Sequence, residues 1–140
     1  MSRSGYSDDC DDCDTWPLIC WRGAVSSALR GKRGQKFLVE LRDALDAMPE
    51  KRLIAEQLQD TTGCHCTLGV IGAKRGLDMT GLDPDDREAV SKAFGIAEAM
   101  AAEIVHENDG QWRCDNETPE QRWTRMRAWV ESHIAEGAAA

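Results

Sequence analysis

The sequence predicts a mainly α-helical fold, a compact bundle of five or six short helices to which one small β-hairpin can be added. Apolar residues recur at intervals of three and four through most of the chain, and this spacing is typical of one helix face. Proline, hydroxyl and acidic residues precede several of these stretches and glycine follows them, as at helix starts and ends. With 140 residues, 41% of them apolar and 30% charged, the chain suits one globular domain.

The first two helices are predicted on either side of a glycine-containing basic stretch. One helix is expected to begin near Thr15, with Pro17 in its first turn, and to end at Gly31. The second is expected from about Gly34 to Met48, because a continuous stripe of apolar side chains at helical spacing ends there before a proline.

Residues 50–75 fit either a short helix or a strand at their beginning. The turn-forming run 60–63 favours a small hairpin, in which residues 64–68 return as a strand. A helix rich in small residues is then expected from Gly69.

Three further helices are predicted in the C-terminal half. Asp83 and Pro84 are expected to start one that ends at Gly95, and the next is expected to end near Gly110. The run 118–121 is a capping box with proline at the first helical position, and it begins the last helix.

The domain organisation follows from these elements. Residues 1–14 are expected to be a flexible acidic leader, residues 15–135 a single helical domain, and residues 136–140 a frayed tail. No stretch reaches the roughly 18 apolar residues of a membrane helix, and the polar start does not resemble a secretory signal. We therefore expect a cytoplasmic protein with no membrane partner.

The net charge of −8 is unevenly distributed. Residues 76–121 contain twelve carboxylates and only three cations, whereas residues 22–36 contain five cations and no carboxylate. An acidic field of this size attracts basic partners and repels nucleic acid. The candidate partner-binding residues in the acidic segment are Asp83, Asp85, Asp86, Glu98 and Glu103.

The basic stretch between the first two helices is a candidate nucleic-acid contact. It is expected to be a loop, and its candidate residues are Arg30, Lys32, Arg33 and Lys36. It lacks the spacing of a phosphate-binding P-loop. Nucleic acid is therefore the less favoured partner.

Six cysteines allow a metal site. The spacing of Cys10 and Cys13 can hold two corners of a tetrahedral zinc, and Cys64 with Cys66 could supply the others. The second spacing is tighter than usual for zinc. Free thiols and an intramolecular disulfide remain open alternatives.

No catalytic grouping can be assembled from the sequence. The three histidines do not form a zinc-protease motif, and neither a nucleophile elbow nor a glycine-rich dinucleotide fingerprint is present. We therefore expect neither an enzyme nor a cofactor, with one structural zinc as the alternative. The five tryptophans exceed what a small core requires, so one could anchor an interface and a homodimer stays open.

Several strings spread over nearly the whole chain resemble a group of short uncharacterised proteins encoded by bacteriophages and prophages. They are the strings at 4–10, 21–25, 30–35, 48–54, 118–123 and 127–130. None of these strings carries a known chemistry. The resemblance implies an accessory protein that acts inside an infected bacterium, and Cys13 departs from the pattern.

These observations predict a non-enzymatic accessory protein that binds a host or phage protein through its acidic surface. An anti-defence inhibitor of the anti-CRISPR type is one concrete version. A small zinc-stabilised module and a nucleic-acid binder are the alternatives.

Overall fold

A computed structural model describes residues 16–110 and 117–135, without the side chains of residues 16–18. The mainly α-helical fold is confirmed, since the described residues form six helices. They are α1 (Trp16–Arg30), α2 (Lys32–Asp46), α3 (Thr67–Arg75), α4 (Arg87–Phe94), α5 (Glu98–Asp109) and α6 (Pro119–His133). The predicted leader, most of the tail and the thiols of Cys10, Cys13 and Cys114 lie outside the described residues.

One hydrophobic cluster joins all six helices. The apolar stripe of α2 contributes Leu38, Leu41 and Leu45, which are fully buried. Around α2 pack α1, α3 and α6, while α5 packs against α1 and α4. None of the described helices is long and apolar enough to cross a membrane.

The predicted basic loop between α1 and α2 is corrected by the structure. Gly31 alone separates the two helices, in an extended conformation, and α2 begins at Lys32. Gly34 stays inside the helix because its missing side chain permits close approach: a Cβ there would lie 1.9 Å from the carbonyl oxygen of Ala28. The cations therefore lie on helix ends and not on a loop.

The hairpin is reduced to a single antiparallel bridge between Gln59 and His65 in the described chain. The returning arm is short because α3 already begins at Thr67, where Cys66 accepts a hydrogen bond from the backbone of Gly69 as helix cap. A helix start two residues earlier than expected leaves too little chain for a ladder.

The start of α4 is also shifted from its predicted position. Asp86, not Asp83, caps the helix by accepting a hydrogen bond from the Ala89 backbone at 3.1 Å. Asp83 instead accepts from the Asp85 backbone at 2.9 Å in the preceding turn. The predicted capping box of α6 is confirmed, with both of its hydrogen bonds formed.

Candidate functional site

The start of α4 and the start of α5 carry exposed carboxylates. Asp83, Asp85 and Asp86 lie in the turn before α4, and Glu98 is the first residue of α5. We call these four residues the acidic surface. None of the salt bridges formed within the described residues includes any of them.

The cations nearest in sequence to the acidic surface are engaged elsewhere. Lys92 forms an ion pair with Glu88 at 2.9 Å, one helical turn away. Its pKa is raised chiefly by Glu88, and Glu98 and Asp86 add to the effect. Lys92 therefore lies within the field of carboxylates from both helices. Arg87 lies over the ring of Trp21, with its guanidinium carbon 5.1 Å from the ring centre.

Glu103 does not share the acidic surface. It is only 7% exposed and lies against α1. Its place on α5 explains this, because it follows the buried Met100 by three residues and precedes the buried Ile104. Residues three and four apart share a helix face. The structure therefore places four of the five candidate partner-binding residues at the surface and one inside.

The basic candidates form a cluster at the junction of α1 and α2. Arg30 ends α1, and Lys32, Arg33 and Lys36 follow on the first turns of α2. All four are exposed. Arg22, which lies about two turns before Arg30 in α1, is exposed as well. This cluster and the acidic surface therefore lie on different helices.

Of the four candidate zinc ligands, the structure describes Cys64 and Cys66, and only Cys64 is accessible. Cys66 is buried, and burial raises the pKa of its thiol to about 11, with the Asp109 carboxylate acting in the same direction. Its sulfur already accepts a hydrogen bond from Gly69 at 3.4 Å. Cys64 is partly exposed, and its sulfur lies 3.5 Å from the oxygen of the Thr62 hydroxyl, which donates to Asp60 at 2.7 Å. Cys66 would have to leave its cap and lose a proton to bind zinc.

A groove that the sequence did not predict lies along one face of α1. It has a volume of about 300 Å³. Apolar side chains of α1 and two arginines line it, and α5 and α6 close it. Its lining residues are Trp21, Arg22, Val25, Ser26, Leu29, Arg30, Glu103 and His133.

Hydrogen bonds fix the end of this groove. The Gln35 amide donates to the carbonyl oxygens of Leu29, at 2.6 Å, and of His133, at 2.9 Å, and its oxygen accepts from the Ala135 backbone. Partial burial lowers the pKa of His133, which stacks at a tilt on Trp129 with ring centres 4.6 Å apart. The imidazole is therefore largely neutral at pH 7.

The apolar spacing of α1 was visible in the sequence as a stripe for the core. What the spacing could not show is that α5 and α6 leave part of that stripe uncovered. No protein-family model, curated protein or solved structure matches the chain. The functional argument therefore rests on the geometry of the described residues.

Proposed function

We propose that the chain is a non-enzymatic protein-binding module whose acidic surface engages a basic surface of another protein. The observation that carries the proposal is the exposure of four carboxylates at the starts of α4 and α5, outside the salt bridges of the described residues. Exposed like charges with no compensating pair produce a field that steers an oppositely charged partner.

The rigidity of this surface supports the same function. Asp83 and Asp86 are held by backbone hydrogen bonds in the turn and at the helix cap. Glu98 begins a helix whose interior face is buried. A partner therefore meets carboxylates that are already positioned, which reduces the conformational entropy lost on binding.

The resemblance to phage and prophage proteins gives the proposal its setting. In that setting the partner is a host or phage protein whose basic surface ordinarily contacts nucleic acid. An inhibitor of a bacterial defence system, such as an anti-CRISPR protein, is the concrete version. It would act by occupying that basic surface.

Affinity capture with matched charge variants tests the proposal. The test variant carries Asp83→Asn, Asp85→Asn, Asp86→Asn and Glu98→Gln. The control removes four exposed carboxylates elsewhere, through Asp43→Asn, Glu50→Gln, Glu120→Gln and Glu131→Gln.

Both variants change the net charge equally. The control also removes the exposed ion pairs of Asp43, Glu120 and Glu131 with arginines, so the unfolding transitions of both variants are compared with that of the wild type before capture. A bacterial protein that is captured by the wild type and the control, but not by the test variant, is the expected result. Equal recovery on all three, or equal loss from both variants, would contradict a binding role for the acidic surface.

Nucleic-acid binding remains the second candidate because the cluster at the junction of α1 and α2 is exposed. Phosphate contacts need accessible cations of this kind. Retarded migration of DNA or RNA at moderate salt, lost on reversing the charges of Lys32 and Arg33, is the result that this candidate predicts. Unretarded nucleic acid would remove it.

A further inference from the structure

We infer that the groove along α1 is a binding site for a small aromatic anion, a flat apolar ring system that carries one sulfonate, carboxylate or phosphate. This site is separate from the acidic surface and does not depend on the proposed function. Its volume of about 300 Å³ is at the lower end of the range for small-molecule pockets.

The apolar body of the ligand is indicated by the walls of the groove. Trp21, Val25 and Leu29 stand on one face of α1 and present ring and aliphatic surface. The guanidinium of Arg87 lies over the Trp21 ring and helps to hold it in place. A flat ring can stack or pack edge-on against such an indole.

The charge of the ligand is indicated by the two arginines. Arg22 and Arg30 are exposed at the groove, and no salt bridge within the described residues includes either. Arginine donors suit oxyanions such as carboxylate and phosphate because two N–H groups can bind two oxygens. Both arginines are exposed, whereas Glu103 in the wall is buried, so the charged end of the ligand should lie outward between the arginines.

One polar group of a lining residue lacks a hydrogen-bond partner among the described residues. The indole N–H of Trp21 is buried and has no acceptor within the described part of the chain. A buried donor without a partner is unfavourable. The groove is also shaped before binding, since Gln35 ties the ends of α1 and α6 together.

The probe for this site is 8-anilinonaphthalene-1-sulfonate, an aromatic sulfonate whose fluorescence rises in apolar surroundings. Its neutral analogue, N-phenyl-1-naphthylamine, lacks the sulfonate. The test variant is Arg22→Gln with Arg30→Gln. The matched control is Lys32→Gln with Arg33→Gln, which removes two adjacent cations that do not line the groove.

We expect saturable binding of the sulfonate at one site, weakened roughly tenfold or more by the arginine variant and unchanged in the control. The neutral analogue should bind more weakly to the wild type and should not respond to the arginines. Equal weakening in both double variants, or no response of the sulfonate to the arginines, would overturn the inference.

A second variant tests the location of the site without changing charge. Ser26→Trp places a large ring in the groove from a partly exposed position, and binding of both probes should be lost while the unfolding transition is retained. Undiminished sulfonate binding to Ser26→Trp would overturn the inference. The four-residue variant of the acidic surface should bind both probes as the wild type does, so the two proposals can fail separately.

Discussion

Cys66 is an acid–base residue whose surroundings keep it protonated. It lies at the N-terminus of α3, a position that ordinarily favours a thiolate. Desolvation outweighs this effect and raises the pKa of the thiol to about 11. The thiol therefore behaves as a small apolar core group that also caps a helix.

We predict that iodoacetamide modifies Cys66 much more slowly than the exposed Cys20 in the folded protein at pH 8. The Cys66 thiol is buried, and its raised pKa keeps it protonated at this pH. Peptide mass spectrometry after timed alkylation separates the two sites. Denaturant should bring the two rates together. A Cys66 that reacts as fast as Cys20 in the native protein would show that the thiol is accessible, and would revive its candidacy as a zinc ligand.

Asn108 satisfies several buried groups from different segments. Its side-chain oxygen accepts from the backbone and the hydroxyl of Thr67, at 3.0 and 2.7 Å, and its amide donates to the carbonyl oxygen of Ile54. The residue is 1% exposed. It therefore joins α5 to the start of α3 and to the chain that precedes it.

We predict that Asn108→Ala lowers the free energy of unfolding by about 2–3 kcal/mol, since each buried group left without a partner costs about 1–3 kcal/mol. Urea denaturation measures the change. The exposed Gln57→Ala serves as the control and should stay within roughly 0.5 kcal/mol of the wild type. Equal stabilities of the two variants would show that water replaces the lost hydrogen bonds.

The burial of Glu103 could have been predicted from its spacing to other residues of α5. Glu98 and Glu103 are five residues apart, which places them about 140° apart around a helix with 3.6 residues per turn. The spacing from Met100 therefore predicts burial for Glu103. Its contact with α1 could not be predicted, because no local pattern states which helices become neighbours.

Two glycines in the first two helices have opposite surroundings. A Cβ at Gly23 would meet no described residue within 4 Å, whereas a Cβ at Gly34 would collide with the carbonyl oxygen of Ala28. Both residues are helical. A substitution at Gly23 therefore tests helix propensity alone, whereas the same substitution at Gly34 also tests the packing between α1 and α2.

We predict that Gly23→Ala stabilises the protein by about 0.5–1 kcal/mol, because alanine loses less backbone entropy in a helix. Gly34→Ala should destabilise it by about 1–3 kcal/mol, since α1 and α2 must move apart. Chemical denaturation of both variants gives the comparison. A stabilising Gly34→Ala would mean that the two helices do not cross as closely as described.

An ion pair between helices gives α2 and α3 a pH-dependent contact. Arg75 donates two hydrogen bonds to the Glu40 carboxylate, at 2.9 and 2.6 Å, and a third to the carbonyl oxygen of Phe94. The hydrogen bonds from Arg75 lower the pKa of Glu40 below its ordinary value of 4.5. The contact is thus strongest when the carboxyl is ionised.

We predict that this contribution is complete above pH 4.5 and is lost as the pH falls through the lowered pKa of Glu40. Glu40→Gln should therefore flatten the acid side of the stability profile. Glu50→Gln, which removes an exposed carboxyl, should leave it unchanged. Urea denaturation between neutral and acidic pH provides the test, and parallel profiles for Glu40→Gln and the wild type would contradict it.

Local signals determined how well each element could be predicted. The N-terminal capping box of α6 lies within four consecutive residues, so the sequence predicted the start of this helix correctly. The start of α4 was misplaced because three nearby aspartates compete as caps, and Asp83 is used in the turn. The sequence did not predict that one residue separates α1 and α2, because Gly34 is typical of a loop. Gly34 nevertheless lies inside α2, where close packing against α1 requires a glycine.

At the scale of the whole molecule, different helices carry the cations and the carboxylates that the sequence distributes unevenly. Four of the five cations of residues 22–36 lie at the junction of α1 and α2, and the fifth, Arg22, lies earlier on α1. The acidic surface lies at the starts of α4 and α5. Fold class and charge bias could be predicted because they depend on composition and period. The groove could not, because three helices that are distant in sequence form it.

The central claim is that the acidic surface binds a basic partner, and the salt dependence of the captured complex tests it most directly. Between about 0.1 and about 1 M salt the screening length falls from about 10 Å to about 3 Å. We predict that the affinity of the wild type for its captured partner falls by roughly tenfold or more over this range. An affinity that is indifferent to salt would contradict the claim and direct attention to an apolar interface.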